Sequence, residues 1–142
     1  MKLIYKIWYE NHNGIVFGEG PCRLLRGIEK TGSLKQAAAD LGMAYSKANH
    51  VIKSCEDNLG SVLTHPKRGG ITRGGSEVSD KAIELMKVHE SFREEIENEI
   101  GKIYKKYFGQ TVPVVFYPGT KRYRRQSKIE TVNEAGWPRC ED

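Results

Sequence analysis

Leu34-Lys-Gln-Ala-Ala-Ala-Asp-Leu-Gly-Met-Ala-Tyr-Ser-Lys-Ala-Asn-His-Val-Ile-Lys53 is the stretch whose reading decides the fold. Two helices that cross at a tight turn need small residues at the crossing, and Ala37, Ala38 and Ala39 supply them. The turn needs a residue at ease with positive φ, and Gly42 stands there between the apolar Leu41 and Met43. The second helix must turn an apolar stripe inward, and Ala48, Val51, Ile52 and Cys55 fall at i, i+3, i+4 and i+7. Ser33 with Gln36 three positions later reads as a capping box opening the first of the two helices. The pattern predicts a helix-turn-helix, with helices from about 34 to 41 and from about 45 to Gly60.

In such a motif the outward face of the second helix meets the groove. That face carries Tyr45, Ser46, Lys47, Asn49, His50 and Lys53, and no acid stands between Leu41 and Cys55. Asn pairs bidentately with adenine and Lys donates to guanine, while Tyr, Ser and Lys also serve phosphates. Ser33 and Lys35, at the start of the preceding helix, join the candidate DNA-binding set. Directly downstream comes His65-Pro-Lys-Arg-Gly-Gly-Ile-Thr-Arg-Gly-Gly75, a glycine-rich basic segment between short apolar runs. A hairpin here is a wing, with Lys67, Arg68 and Arg73 placed to reach phosphates or the minor groove. It lacks the GxxxxGK[ST] spacing of a P-loop.

Upstream, residues 2–9 alternate in polarity and Asn13-Gly14 follows, so strand–turn–strand is expected over 2–18. Pro21 suits the first turn of a helix running to about 31 and closed by Gly32. From about 76 to 108 a long helix is expected. Its apolar or core-compatible positions are Val78, Ala82, Leu85, His89, Phe92, Ile96, Ile100, Ile103 and Tyr107, close to a heptad repeat with one slip. A stripe of that length exceeds what one small domain covers, so a second copy is the expected partner. The expected interface residues are Val78, Leu85, His89, Phe92, Ile96, Ile100, Ile103 and Tyr107. After Gly109 the composition shifts. A short apolar run, Val112–Tyr117, reads as a candidate strand that can dock on the N-terminal hairpin, and a basic run, Lys121–Lys128, follows it.

Charge follows this organisation. Of the net +5, residues 21–73 hold nine Lys/Arg against four acids, while residues 74–109 hold six against eight. A basic head on an acidic stem suits a phosphate-facing surface joined to a protein-facing one. The three cysteines, Cys22, Cys55 and Cys140, are far apart and form no metal or disulfide pattern. No metal and no cofactor is therefore expected. His12, His50, His65 and His89 have no partner at a spacing that suits acid–base or nucleophilic chemistry, so no enzyme is read here. No apolar run nears the ~20 residues that span a bilayer, and MKLIYKIWYE is too short and polar for a signal peptide; a cytoplasmic protein is expected.

The expected architecture is α+β, mainly α: a winged helix-turn-helix with an N-terminal β-hairpin and a long C-terminal dimerisation helix. The functional division is 1–75 for the DNA-binding head, 76–109 for the dimerisation helix and 110–142 for a basic tail. With these residues in view the chain resembles the N-terminal domain of the molybdate-responsive regulator ModE, itself similar to the winged helix of LysR-type regulators. The resemblance is carried by Phe17-Gly18-Glu19-Gly20, Glu29-Lys30-Thr31-Gly32-Ser33-Leu34, Ala37-Ala38, Leu41-Gly42-Met43, Tyr45, Ala48 and the wing after Leu63. It implies a homodimer on double-stranded DNA, with recognition around Tyr45–Lys53. Ala44 stands where the family often has Ser, so one helix cap is expected to be missing. The family's oxyanion-binding barrels are longer than the 33 residues after Gly109, so a stand-alone DNA-binding domain without molybdate binding is expected, its effector unknown. The alternatives are a winged-helix interaction module that does not bind DNA, and a molybdate-linked regulator that senses through a partner.

Overall fold

The computed structural model describes residues 2–67 and 75–116. They divide into two compact units, one from Ile7 to Ile96 and one joining the first six residues to the segment from Glu97 on. These units cut the chain at different points from the functional division above, because the first strand pairs with the last.

The larger unit opens with a hairpin of β2 (Trp8–Asn11) and β3 (Gly14–Gly18), which follow β1 (Leu3–Tyr5). The turn is the Asn-Gly expected, with Gly14 at φ 129. Tyr9 pairs with Phe17 across the ladder, and a bulge follows at Tyr9/Glu10. Four helices come next: α1 (Glu19–Thr31), α2 (Leu34–Asp40), α3 (Tyr45–Leu59) and, after the wing, α4 (Asp80–Phe108). α1 ends on Gly32 at φ 71, whose N–H donates to Ile28 O at 2.7 Å. Ser33 caps α2, its Oγ accepting from Gln36 N at 3.1 Å. Only this half of the capping box forms, because the Gln36 amide donates to Asp40 Oδ1 at 2.8 Å instead. Gly42 turns the chain at φ 65, and Met43 N donates back to Ala38 O at 2.8 Å.

The core of this unit lies where α1, α2, α3 and the start of α4 meet under β3. Leu24, Leu25, Ile28, Ala37, Ala48, Ile52, Leu63, Ala82 and Met86 are buried there. The inward stripe of α3 is Ala48, Ile52 and Cys55, as its spacing predicts, with Val51 partly buried against the cluster. The structure is α+β and mainly helical, a winged helix-turn-helix with an N-terminal hairpin and a long C-terminal helix.

The wing is β4 (Thr64–Pro66) paired antiparallel with β5 (Ser76–Val78), in the register Thr64↔Val78, His65↔Glu77, Pro66↔Ser76. Its tip, residues 68–74, lies outside the described residues, and so do Arg68 and Arg73.

In the smaller unit, β1 pairs in parallel with β6 (Val114–Phe116), Leu3 opposite Val114 and Tyr5 opposite Phe116. This corrects one expectation. Residues 2–9 are not one strand: pairing stops at Tyr5 and resumes at Trp8, the two pieces having different partners. The apolar run after Gly109 does form a strand, and it docks on the first of these two pieces, within the span 2–18 expected to receive it. Tyr5 donates from its hydroxyl to Glu97 Oε1, and Val114 Cγ2 lies 3.7 Å from where a Cβ at Gly101 would stand, so this strand pair is fastened to its own stretch of α4. The basic run 121–128 is outside the described residues.

Candidate nucleic-acid interface

One side of the N-terminal half of α3 faces outward, while Ala48 and Ile52 on the other side are buried in the core. Tyr45, Ser46, Lys47, His50 and Lys53 are exposed, and Asn49 is half-buried beside the inward-facing Ala48. The helix starts from Ala44, in extended backbone with no side-chain cap, as its sequence led one to expect. On α2, Lys35 is exposed, whereas Ser33 is half-buried with its Oγ engaged by Gln36 N.

The wing base is tied to the α1–α2 turn. Ser76 N donates to Gly32 O at 2.9 Å and Lys67 N to Gly75 O at 3.0 Å. The exposed Lys67 lies across the same turn, its Nζ 3.2 Å from where a Cβ at Gly32 would stand. That places its ammonium at the C-terminal end of α1, where the helix dipole favours a cation. Lys67 therefore sits beside Ser33 at the start of α2. The other end of α3 is bound to the hairpin: Asn58 Nδ2 donates to Ile15 O and Asn11 Nδ2 to Asn58 O, both at 2.9 Å. The cation-bearing end of α3, away from the hairpin, is the one that carries the candidate contacts.

The interface residues expected on the long helix fall into three groups. Phe92, Ile103 and Tyr107 are exposed, and Leu85, Ile96 and Ile100 are half-buried. Val78 belongs to β5 and pairs with Thr64, so it is not on α4 at all. His89 is only 1% exposed and must be withdrawn from the seam. Its ring lies between Tyr9 Oη, 3.0 Å from Nδ1, and Glu19 Oε2, 2.7 Å from Nε2. Tyr9 and Phe17 contact it edge-on, with ring centroids 5.7 and 5.6 Å away. Sequence reasoning missed Val88, which at 63% exposed continues the outward stripe one step to the side, and the exposed Phe108.

Glu19 is a further residue that the spacing did not reveal. It is 5% exposed, at the first position of α1, and it also receives Arg23 Nε at 3.1 Å and Arg93 Nη1. Burial alone acts to raise its carboxyl. The hydrogen bonds with His89 and Arg23 and the charges of Arg93 and Arg23 outweigh burial, and hold the group below its ordinary value. Tyr9, beside this buried cluster, is pushed up, first by desolvation and then by Cys22 and Glu19. Burial and the nearby Glu90 and Glu19 push the Cys22 thiol up to about 12, and burial with Glu56 pushes Cys55 to about 11. Both are core thiols with little thiolate character. Among the described residues there is no group of three or more potential metal ligands, and no helix is long and apolar enough to cross a membrane.

No family model matches the sequence, and no curated protein matches it. Several solved structures are similar to this one, and two of them follow. The crystal structure of the CbnR DNA-binding domain in complex with DNA aligns with a TM-score of 0.49 at 14% identity, over 64% of this chain and 98% of that one. The crystal structure of ArgP from Mycobacterium tuberculosis aligns with a TM-score of 0.45 at 16% identity, over 79% of this chain and 49% of that one.

Proposed function

We propose that this chain is a DNA-binding transcriptional regulator that acts as a homodimer and resembles a ModE N-terminal domain. The observation that carries the reading is the exposed, acid-free N-terminal half of α3, with Tyr45, Ser46, Lys47, His50 and Lys53 turned outward and Asn49 half-buried among them. Lys67 at the wing base, Lys35 and Ser33 on α2, and Arg68 and Arg73 in the wing complete the contact set. α3 takes the place of the recognition helix in the major groove, and the wing lies along the neighbouring backbone.

The homodimer reading rests on α4. Val88, Phe92, Ile103 and Tyr107 are exposed and share one face with the half-buried Leu85 and Ile96. If two copies of the helix pair antiparallel, Phe92 comes opposite Tyr107 and Ile96 opposite Ile103.

The test is a salt-titrated binding assay on mixed-sequence duplex DNA. Binding at about 50 mM salt should weaken steeply as salt is added, through counterion release, and be lost when Lys47, Lys53, Lys67, Arg68 and Arg73 are all changed to Ala. No binding to any duplex by the wild-type protein rejects the reading and leaves the interaction-module alternative. Calorimetry with molybdate should show no heat of binding; a stoichiometric signal makes the protein a sensor.

A further inference from the structure

Glu56 stands in the last turn of α3, one of four acids in the otherwise basic stretch 21–73. On charge alone it opposes a polyanion. The structure gives its carboxylate another occupation. Glu56 Oε1 accepts from Leu63 N at 2.9 Å and from Thr64 N at 3.1 Å, the two amides that lead into β4. Its backbone carbonyl accepts Gly60 N at 2.8 Å and Ser61 N at 3.3 Å, so both ends of the residue hold the link between α3 and the wing. The link is otherwise short and polar: Gly60 is in the left-handed region at φ 74, and Val62 is exposed.

The remaining ties of the wing run to other elements. Leu63 is fully buried, Ser79 N and Oγ hold Leu63 O at 2.9 Å and Val62 O at 2.7 Å, and Ser76 N holds Gly32 O at 2.9 Å. Those contacts fix the wing to α4 and to the α1–α2 turn. Among the described residues, the Glu56 carboxylate is the side chain that fixes it to α3 itself. A charge-assisted bond to two amides is stronger and more directional than a neutral one, which suits a joint that must hold an angle.

We propose that Glu56 is a positioning residue for DNA binding, setting the wing and its Lys67 at a fixed angle to the recognition helix so that both meet the duplex together. This rests on the DNA-binding reading above. It makes a prediction opposite in sign to simple electrostatics. Removing an acid from a DNA-facing head strengthens binding if charge is all that matters, and weakens it if the carboxylate holds the wing in place.

The experiment measures salt-dependent affinity for one mixed-sequence duplex in the wild type, Glu56→Ala, Glu56→Gln, Lys67→Ala and the double variant Glu56→Ala/Lys67→Ala. Lys67→Ala should lower the salt slope by about 0.9, one phosphate contact. Glu56→Ala should bind several-fold more weakly with a slope reduced at least as much, and adding Lys67→Ala should then change nothing further. Glu56→Gln keeps an acceptor oxygen for the two amides and should bind like the wild type or more tightly. Lys47→Ala, on α3, should remain additive with Glu56→Ala. Where Glu56→Ala fails to fold by circular dichroism, Glu56→Asp takes its place: it keeps the charge, withdraws the carboxylate by one methylene, and should show the same loss of slope. Unchanged or tighter binding by Glu56→Ala, or full additivity with Lys67→Ala, overturns the positioning role while leaving the DNA-binding reading intact. A wild-type protein with no salt-dependent binding overturns both.

Discussion

A Cβ added to Gly27 would stand 2.7 Å from the Cβ of Ala37, closer than two such atoms pack, so α1 and α2 cross with a hydrogen on one side and a methyl on the other. The first two helices of the head are held in register by this contact. Gly27→Ala improves helix propensity by up to ~1 kcal/mol in an exposed helix. Here overpacking, which costs ~1–3 kcal/mol, opposes it. The expected outcome is a net loss of about 1 kcal/mol by denaturant unfolding, larger for Gly27→Val. Ala37→Gly should recover most of the packing loss when combined with Gly27→Ala, and the double-mutant cycle reads out the coupling.

The buried carboxylate of Glu19 makes stability depend on pH. It ionises below its ordinary value of 4.5, so the unfolded chain takes up this proton more readily than the folded one. The stabilisation is fully present above that value and is lost as the pH falls through the lower, folded one. Glu19→Gln should lower stability at neutral pH by about 3 kcal/mol, because His89, Arg23 and Arg93 lose their charged partner. It should also flatten the acid limb of the stability curve below pH 4.5, measured by urea unfolding at a series of pH values.

What was legible in the sequence is what is local. The three alanines, Gly42 and the stripe of α3 lie within one short stretch, 37–55, so their spacing already carries their geometry. The wing followed from the residues next in line. The parallel pairing of Leu3 with Val114 joins the two ends of the described chain, and no nearby turn announces it. The Glu19–His89–Arg93 cluster draws on two helices 70 residues apart; Glu19 and Arg93 each look alone like a solvated charge, and His89 looks like one step of the heptad stripe. His89 shows the limit most clearly. A heptad spacing says that a helix has an apolar side, but not where the boundary falls between the part its own domain covers and the part left open. His89 and Ala82 lie on the covered edge, and Val88, outside the expected pattern, lies on the open one.

α3 begins without a side-chain cap, on an Ala44 already in extended backbone with φ −64 and ψ 141. A serine there needs no backbone change to accept an amide from the first turn. Ala44→Ser should stabilise the fold by roughly 0.5–1 kcal/mol, seen as a rise of a few degrees in Tm. DNA affinity should change little if the first-turn amides do not touch phosphate, and fall if they do.

The last prediction separates the two sides of α4. Phe92 is exposed, but its ring is 6.2 Å from that of Tyr9, so it stands at the border of the open stripe and the packed one; Ile103 lies fully on the open side. Placing a carboxylate on the stripe would set like charges into the proposed apolar seam between two copies, and the penalty would fall on association rather than on folding. Phe92→Glu with Ile96→Glu, or Ile103→Glu alone, should sediment as one chain at micromolar concentration while keeping wild-type helix content. His89→Ala makes the opposite prediction. Its ring touches Glu19, Tyr9 and Phe17 inside one chain, so the variant should lose ~2–4 kcal/mol of stability through a cavity and the loss of the partner on Glu19 Oε2. It should nevertheless dimerise under conditions where it is folded. The proposed dimer has a functional consequence as well: two α3 helices would reach successive major grooves about 34 Å apart only when the copies are joined. The monomeric variants should therefore lose affinity for a two-half-site duplex and keep the weak affinity of a single head. A wild-type protein that sediments as one chain, or an Ile103→Glu variant that remains dimeric, rules out the α4 seam.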